Sequence, residues 1–180
     1  MSRGSTAPVI PARVTVAELA AAIGADTETV SAILVERGEP GSPDDVVSGE
    51  VAVSVASGLG VEIAVEPRDL ALECLYQLEI SGELGPPEGR AGRICEGVVS
   101  RLDELDEMIE RVSEHWSVAR MPLIDRNVLR IALFELKEEA DTPTGVIVSE
   151  AVRLATTYST DRSAAFVNGV LATLARTVRG

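Results

Sequence analysis

The stretch Leu123-Ile124-Asp125-Arg126-Asn127-Val128-Leu129-Arg130-Ile131-Ala132-Leu133-Phe134-Glu135-Leu136 decides the fold. Ile124, Val128, Leu129, Ile131, Ala132, Leu133 and Leu136 recur at helical spacing and cover more than one face. A helix that is apolar on several faces must be enclosed by others. The spacing therefore predicts a central, buried helix over about residues 123–137. Pro122 stands before it, and Asp141-Thr142-Pro143 marks a turn after it.

The neighbouring segments supply the enclosing helices. Toward the C-terminus, Val146, Ile147, Ala151, Leu154 and Ala155 form one stripe. Phe166, Val167, Val170, Leu171 and Leu174 form another, with Asp161 as the expected cap of that last helix. Asn168-Gly169 within it costs helix stability. That cost suggests a polar contact for Asn168 inside the bundle and a close backbone approach at Gly169. Toward the N-terminus, Ile94, Val98, Leu102, Leu105, Ile109 and Val112 predict a long helical stretch over about residues 90–114, breaking once near Ser100. Pro67 can open a helix at no hydrogen-bond cost, followed by Leu70, Cys74, Leu75 and Leu78. Residues 82–89, with Pro86 and Pro87, read as a loop. No alternating strand pattern occurs after residue 66, so residues 67–180 predict an all-α bundle of about six helices.

A different unit precedes the bundle. Residues 13–65 predict a small helix-rich module with a short strand element at Val61-Glu62-Ile63-Ala64-Val65. Thr15 and Glu18 have capping-box spacing and Gly24 ends the first helix. Thr27 has the same look before a second helix, which stops at Gly38. A third helix is expected over about residues 48–57. Residues 1–12, with Pro8 and Pro11, read as a loose tail. Two short helices around a glycine turn also fit a DNA-reading pair, but the second would offer Glu28, Thr29, Ser31 and Glu36, which approach phosphates poorly.

Composition narrows the function. The chain has 180 residues, 46% of them apolar and only 3% aromatic, so its core is built from aliphatic side chains. No window approaches 18 uninterrupted apolar residues, which excludes a membrane-spanning helix. The first residues, Met1-Ser2-Arg3-Gly4-Ser5-Thr6, lack the layout of a signal peptide. Cys74 and Cys95 fall on apolar helix faces and read as buried, reduced thiols of a cytoplasmic protein. Together with the single histidine, His115, they are too few for an ordinary structural zinc site. No phosphate-cradling glycine loop and no cofactor fingerprint is present. Glu104 and Asp106 stand two apart on a helix and do not face each other. We expect no catalytic residues, no cofactor and no metal. Net charge is −13: three arginines against ten acids in residues 1–66, and thirteen bases against nineteen acids in residues 67–180, with Lys137 the only lysine.

Three blocks carry a family resemblance. They are Ala71-Leu72-Glu73-Cys74-Leu75-Tyr76-Gln77; Trp116-x-x-x-Arg120-Met121-Pro122 running into the central helix as far as Leu136; and Thr142-Pro143 followed by Ser149-Glu150-Ala151-Val152-x-Leu154-Ala155 and Phe166-Val167-Asn168-Gly169-Val170-Leu171. In order, spacing and identity, residues 67–180 resemble the NusB transcription antitermination factors. The resemblance implies binding of a boxA-type ribosomal RNA leader together with the ribosomal protein NusE, in the setting of the transcription elongation complex. Carried over position by position, it implies Arg68, Asp161, Arg162 and Phe166 as RNA-binding residues, and Tyr76 and Asp125 as partner-protein residues. Some relatives pair through the partner face, so a homodimer is among the states it allows. A NusB-like domain also begins some ribosomal RNA cytosine methyltransferases, but nothing here supplies their chemistry.

The departures from the family pattern concern charge. Where several arginines are usual before the first bundle helix, the chain has Val65-Glu66-Pro67-Arg68-Asp69. Gly145 stands where a lysine is usual, and Ala165 where the residue before the aromatic is often basic. Each lost phosphate contact lowers affinity and flattens its salt dependence. The alternative implied is a protein-docking adaptor on the same scaffold that no longer binds RNA independently. Val14-x-Val16-x-Glu18-Leu19-Ala20, Gly24, Thr27-x-x-Val30 and Leu34 also resemble the N-terminal module of bacterial translation initiation factor two, which implies a docking module.

Overall fold

In the computed structural model, residues 7–83, 85–113 and 116–180 are described. Readings that fall on residues 1–6, Leu84, Glu114 and His115 lie outside them. The chain divides into two units, Met1–Asp69 and Leu70–Gly180.

The first unit runs β1 (Val9–Ile10), β2 (Arg13–Thr15), α1 (Val16–Ile23), α2 (Thr27–Glu36), β3 (Val46–Ser48), α3 (Gly49–Gly58) and β4 (Ala64–Val65). β1 pairs parallel with β4, Val9 opposite Ala64 and Ile10 opposite Val65. β2 pairs antiparallel with β3, Val14 opposite Val47. The expected capping box forms: the Glu18 amide donates to Thr15 Oγ1 at 3.2 Å, and the Thr15 amide donates to Glu18 Oε2 at 2.9 Å. The Thr15 amide, and after it the Thr15 hydroxyl donating to the same oxygen at 2.8 Å, hold the Glu18 carboxyl below its ordinary range. Gly24 closes α1 at φ +68°, a conformation that favours glycine. Val16, Leu19, Val30, Leu34, Ala52 and Val55 form the core.

Three readings of this unit change. The described part of the expected tail is not loose, because Ile10 and Ala12 are buried and Val9–Ile10 is a strand. The expected strand over residues 61–65 shrinks to Ala64–Val65, and its partner comes from that same tail. Asp26, not Thr27, holds the cap position of α2, without a side-chain bond.

The second chain segment is helical: α4 (Pro67–Ser81), α5 (Gly89–Ser100), α6 (Leu102–Val112), a 3-10 turn at Val118–Arg120, α7 (Leu123–Glu138), α8 (Thr144–Tyr158) and α9 (Ser163–Arg179). The fold class is therefore as expected. α7 is the hub, packed against α5, α6, α8 and α9. Its Val128, Leu129, Ile131 and Leu133 meet Ile94, Leu105, Ile147, Leu154, Val167 and Leu171 in one core. Emptying such a site, for example Leu129→Ala, costs about 2–5 kcal/mol. The outer edge of the Phe134 ring reaches α5 at Gly97, where an added Cβ would sit 2.3 Å from Cε2 and Cζ. Only glycine permits that approach.

Ion pairs set the helix register. Arg130, buried on α7, makes a two-pronged contact with Asp106 of α6, both bonds 2.7 Å, and reaches Glu79 of α4 at 2.8 Å. Burial works against the Arg130 charge, but Asp106 and Glu79 outweigh it and hold the guanidinium above its ordinary value. At the other end, the Arg179 guanidinium donates to the backbone carbonyls of Glu135, Leu136, Glu139 and Thr142. It thereby satisfies the open C-terminus of α7.

Cys74 and Cys95 are not free thiols: a disulfide joins α4 to α5. Their apolar surroundings were legible, but their proximity depends on how the loop after α4 returns the chain. Asn168 and Gly169 also depart from expectation. Both are exposed, and a Cβ at Gly169 would meet nothing within 4 Å. Neither serves internal packing.

Candidate nucleic-acid and partner interface

The site is built where the α8–α9 turn meets the start of α7. Asp125 lies in the first turn of α7, where an acid favours the positive end of the helix dipole. It is only 3% exposed. Ser159 Oγ donates to its Oδ1 at 2.5 Å, and Ser163 Oγ donates to its Oδ2 at 2.9 Å. Ser163 Oγ also accepts the Thr160 amide at 3.3 Å. A buried carboxylate with both oxygens satisfied thus ties the turn to α7. Asp161 does not cap α9. Ser163 holds the turn instead, and Arg162 occupies the cap position without a side-chain bond.

A cleft of about 290 Å³ opens over this tie. Trp116, Met121, Pro122, Arg162 and Phe166 are among its lining residues. Trp116 is 54% exposed, a large value for an indole. Phe166 is half-buried: part of its ring packs on the bundle core, and part faces the cleft. Arg162 and Asp161 are exposed. Two aromatic side chains and a guanidinium around an apolar cleft are the residue types that hold a flat, electron-rich ring by stacking and cation–π contact.

The residues expected from sequence are thus partly assembled. Asp125, Arg162 and Phe166 share the cleft, with Asp161 next to it in the chain. Tyr76 is half-buried on α4 and is not among the cleft residues. Arg68 is 6% exposed, with Nη1 3.2 Å from Glu66 Oε1. A phosphate would have to compete with that pair. Trp116, Met121, Pro122, Thr160 and Ser163 were not singled out as site residues from sequence. The signal was the exposed aromatic just before the central helix, but its partner Phe166 lies 50 residues away in the chain. Among the described residues, no group of three or more His, Cys, Asp or Glu is placed to hold a metal ion. No described helix is long and apolar enough to cross a membrane.

A helical bundle with an open aromatic and cationic cleft at one end of its central helix belongs to the class of all-α binding proteins. The NusB family profile matches residues 65–176, and the chain belongs to the NusB family. It is 44% identical over 128 residues to the transcription antitermination protein NusB of Clavibacter michiganensis, covering 61% of this chain and 93% of the relative. It is 41% identical to that of Myxococcus xanthus, covering 58% of this chain and 88% of the relative. Among solved structures it is similar to T. maritima NusB, with TM-score 0.56, 32% identity, and coverage of 61% of this chain and 88% of that one. It is also similar to a chain in a crystal structure of antitermination factors NusB and NusE in complex with dsRNA, with TM-score 0.53, 26% identity, and coverage of 62% and 94%.

Proposed function

We propose that this chain is a cytoplasmic transcription antitermination factor that binds a boxA-type RNA leader together with NusE, within the transcription elongation complex. The observation that carries the reading is the cleft that places Trp116, Arg162 and Phe166 around one apolar opening, in a chain of the NusB family. A base enters between the aromatics, and each base stacked contributes about 1–3 kcal/mol. Arg162 at the α9 N-terminus offers positive charge to the adjoining phosphate. Tyr76 on α4 offers the partner protein a half-exposed ring, and Asp125 acts on that partner through the turn it holds. Trp116 is the only tryptophan, so its fluorescence reports occupancy of the cleft. A boxA-type RNA should quench it saturably. Unchanged emission at RNA concentrations that saturate an independent binding assay would refute this placement of the base.

The pairing of Arg68 with Glu66, and the net charge of −13, favour a second reading: a protein-docking adaptor in which NusE must supply the positive charge for RNA. The first unit, with its helix pair around Gly24, fits a docking module resembling that of translation initiation factor two.

A further inference from the structure

Cys74 and Cys95 differ in access. Cys95 has no exposed surface, whereas Cys74 is 8% exposed and lines a cavity of about 420 Å³ beside α4. Glu73, Gln77, Ser81, Glu83 and Pro87 line the same cavity. Two carboxylates thus border it, and no cationic side chain is among its described lining residues. The bridge also fastens a helix that needs fastening. Whereas α7, α8 and α9 pack closely on one another, α4 approaches its neighbours at wider backbone spacing. Among the described residues, Ala71, Leu72 and Leu75 in the core, the Glu79 pairs with Arg126 and Arg130, and the disulfide all help to hold it.

We propose that the Cys74–Cys95 pair is a reversible thiol–disulfide exchange site, entered at Cys74, whose small-molecule partner is an uncharged or cationic disulfide. In the oxidising direction the Cys74 thiolate attacks one sulfur of R–S–S–R. That S–S bond breaks, RS⁻ leaves and takes up a proton, and Cys74 carries the mixed disulfide. The Cys95 thiolate then attacks Cys74 Sγ and expels the second RS⁻, which is also protonated. Two protein thiols lose two electrons, and the small disulfide is reduced to two thiols. Cys95 is too enclosed to be the entry point, so it is the resolving thiol. Glu73 and Glu83 repel an anionic reagent and attract a cationic one, an effect that added salt screens. Closing the bridge fixes α4, the helix that carries Tyr76, and opening it loosens α4 first.

The test uses the full chain. After reduction, brief alkylation followed by peptide mass spectrometry should label Cys74 at least ten-fold faster than Cys95. Re-oxidation by cystamine should outrun oxidised glutathione by about three- to ten-fold at low salt, with the gap narrowing as salt rises. Hydrogen exchange should be several-fold faster in residues 70–81 of the reduced chain than of the oxidised chain, with α7 unchanged. In the Cys95→Ala variant, Cys74 should accumulate as the mixed disulfide with cystamine. Equal labelling of the two cysteines, no mixed disulfide in Cys95→Ala, or identical exchange of residues 70–81 in both redox states would overturn the proposal.

Discussion

The Ser163 hydroxyl donates to the buried Asp125 carboxylate at 2.9 Å, across 38 residues of sequence. With the Ser159 bond to the other oxygen, it fastens the α8–α9 turn to the first turn of the central helix. Phe166 and Arg162 leave that turn toward the cleft, so the geometry of the cleft depends on a carboxylate that lines it while only 3% exposed. Asp125→Ala strands two hydroxyls and should destabilise the bundle by about 1–3 kcal/mol. Ser163→Ala should cost less, and the double variant should fall short of the sum because the residues share one network. Denaturant unfolding of the three variants measures this. Additive losses would show that the two residues act separately.

Phe166 packs on the core with only part of its ring. Phe166→Ala should weaken RNA binding by about 1–3 kcal/mol, roughly five- to 150-fold. Phe166→Tyr should keep most of the affinity, because it keeps a stacking face. Titration followed by fluorescence anisotropy, beside a thermal melt, separates the two roles. A large drop in melting temperature with unchanged affinity in the surviving folded protein would assign the ring to packing alone.

Gly145 and Ala165 are exposed, and a Cβ at Gly145 would meet nothing within 4 Å. Lysine fits both positions without repacking. Gly145→Lys and Ala165→Lys should each raise RNA affinity and steepen its dependence on salt by about one unit of log–log slope at most. Binding isotherms between low and moderate salt check this. No change in slope for either variant would place the RNA path elsewhere.

Glu79 links α4 to α7 through Arg126 and Arg130. Burial pushes its carboxyl up, but the Arg126 hydrogen bond and the Arg130 charge outweigh burial and hold it below its ordinary value of 4.5. A carboxyl whose folded value is depressed contributes stability in full above the unfolded value and loses it as pH falls through the folded one. The stability gap between the chain and Glu79→Gln should therefore be constant near neutrality and close as pH drops below about 4.5. Unfolding curves at a series of acid pH values follow it. A gap that persists undiminished through that range would mean the charge is not what Glu79 contributes.

Much of the bundle was legible because its helices announce themselves locally. The break expected near Ser100 falls at Arg101, between α5 and α6, and the central helix starts at Leu123 as its stripe requires. What was not legible depends on residues distant in sequence. Asp161 looked like the cap of α9, but Ser163 holds the turn because Asp125 waits beneath it. Arg68 kept its sign in the sequence, while its burial against Glu66 is a property of the fold. Asn168-Gly169 looked like a packing device. Its exposure became visible only once the buried face of α9 was fixed by Val167, Val170, Leu171 and Leu174.

The central claim is joint recognition of RNA and a ribosomal partner by a bundle poor in positive charge. It is tested most directly by the affinity of the full chain for a boxA-type RNA, measured with and without NusE across a salt series. The account predicts weak binding with a shallow salt slope for the chain alone, and tighter binding with a steeper slope when NusE is present. No RNA binding in either condition would contradict it.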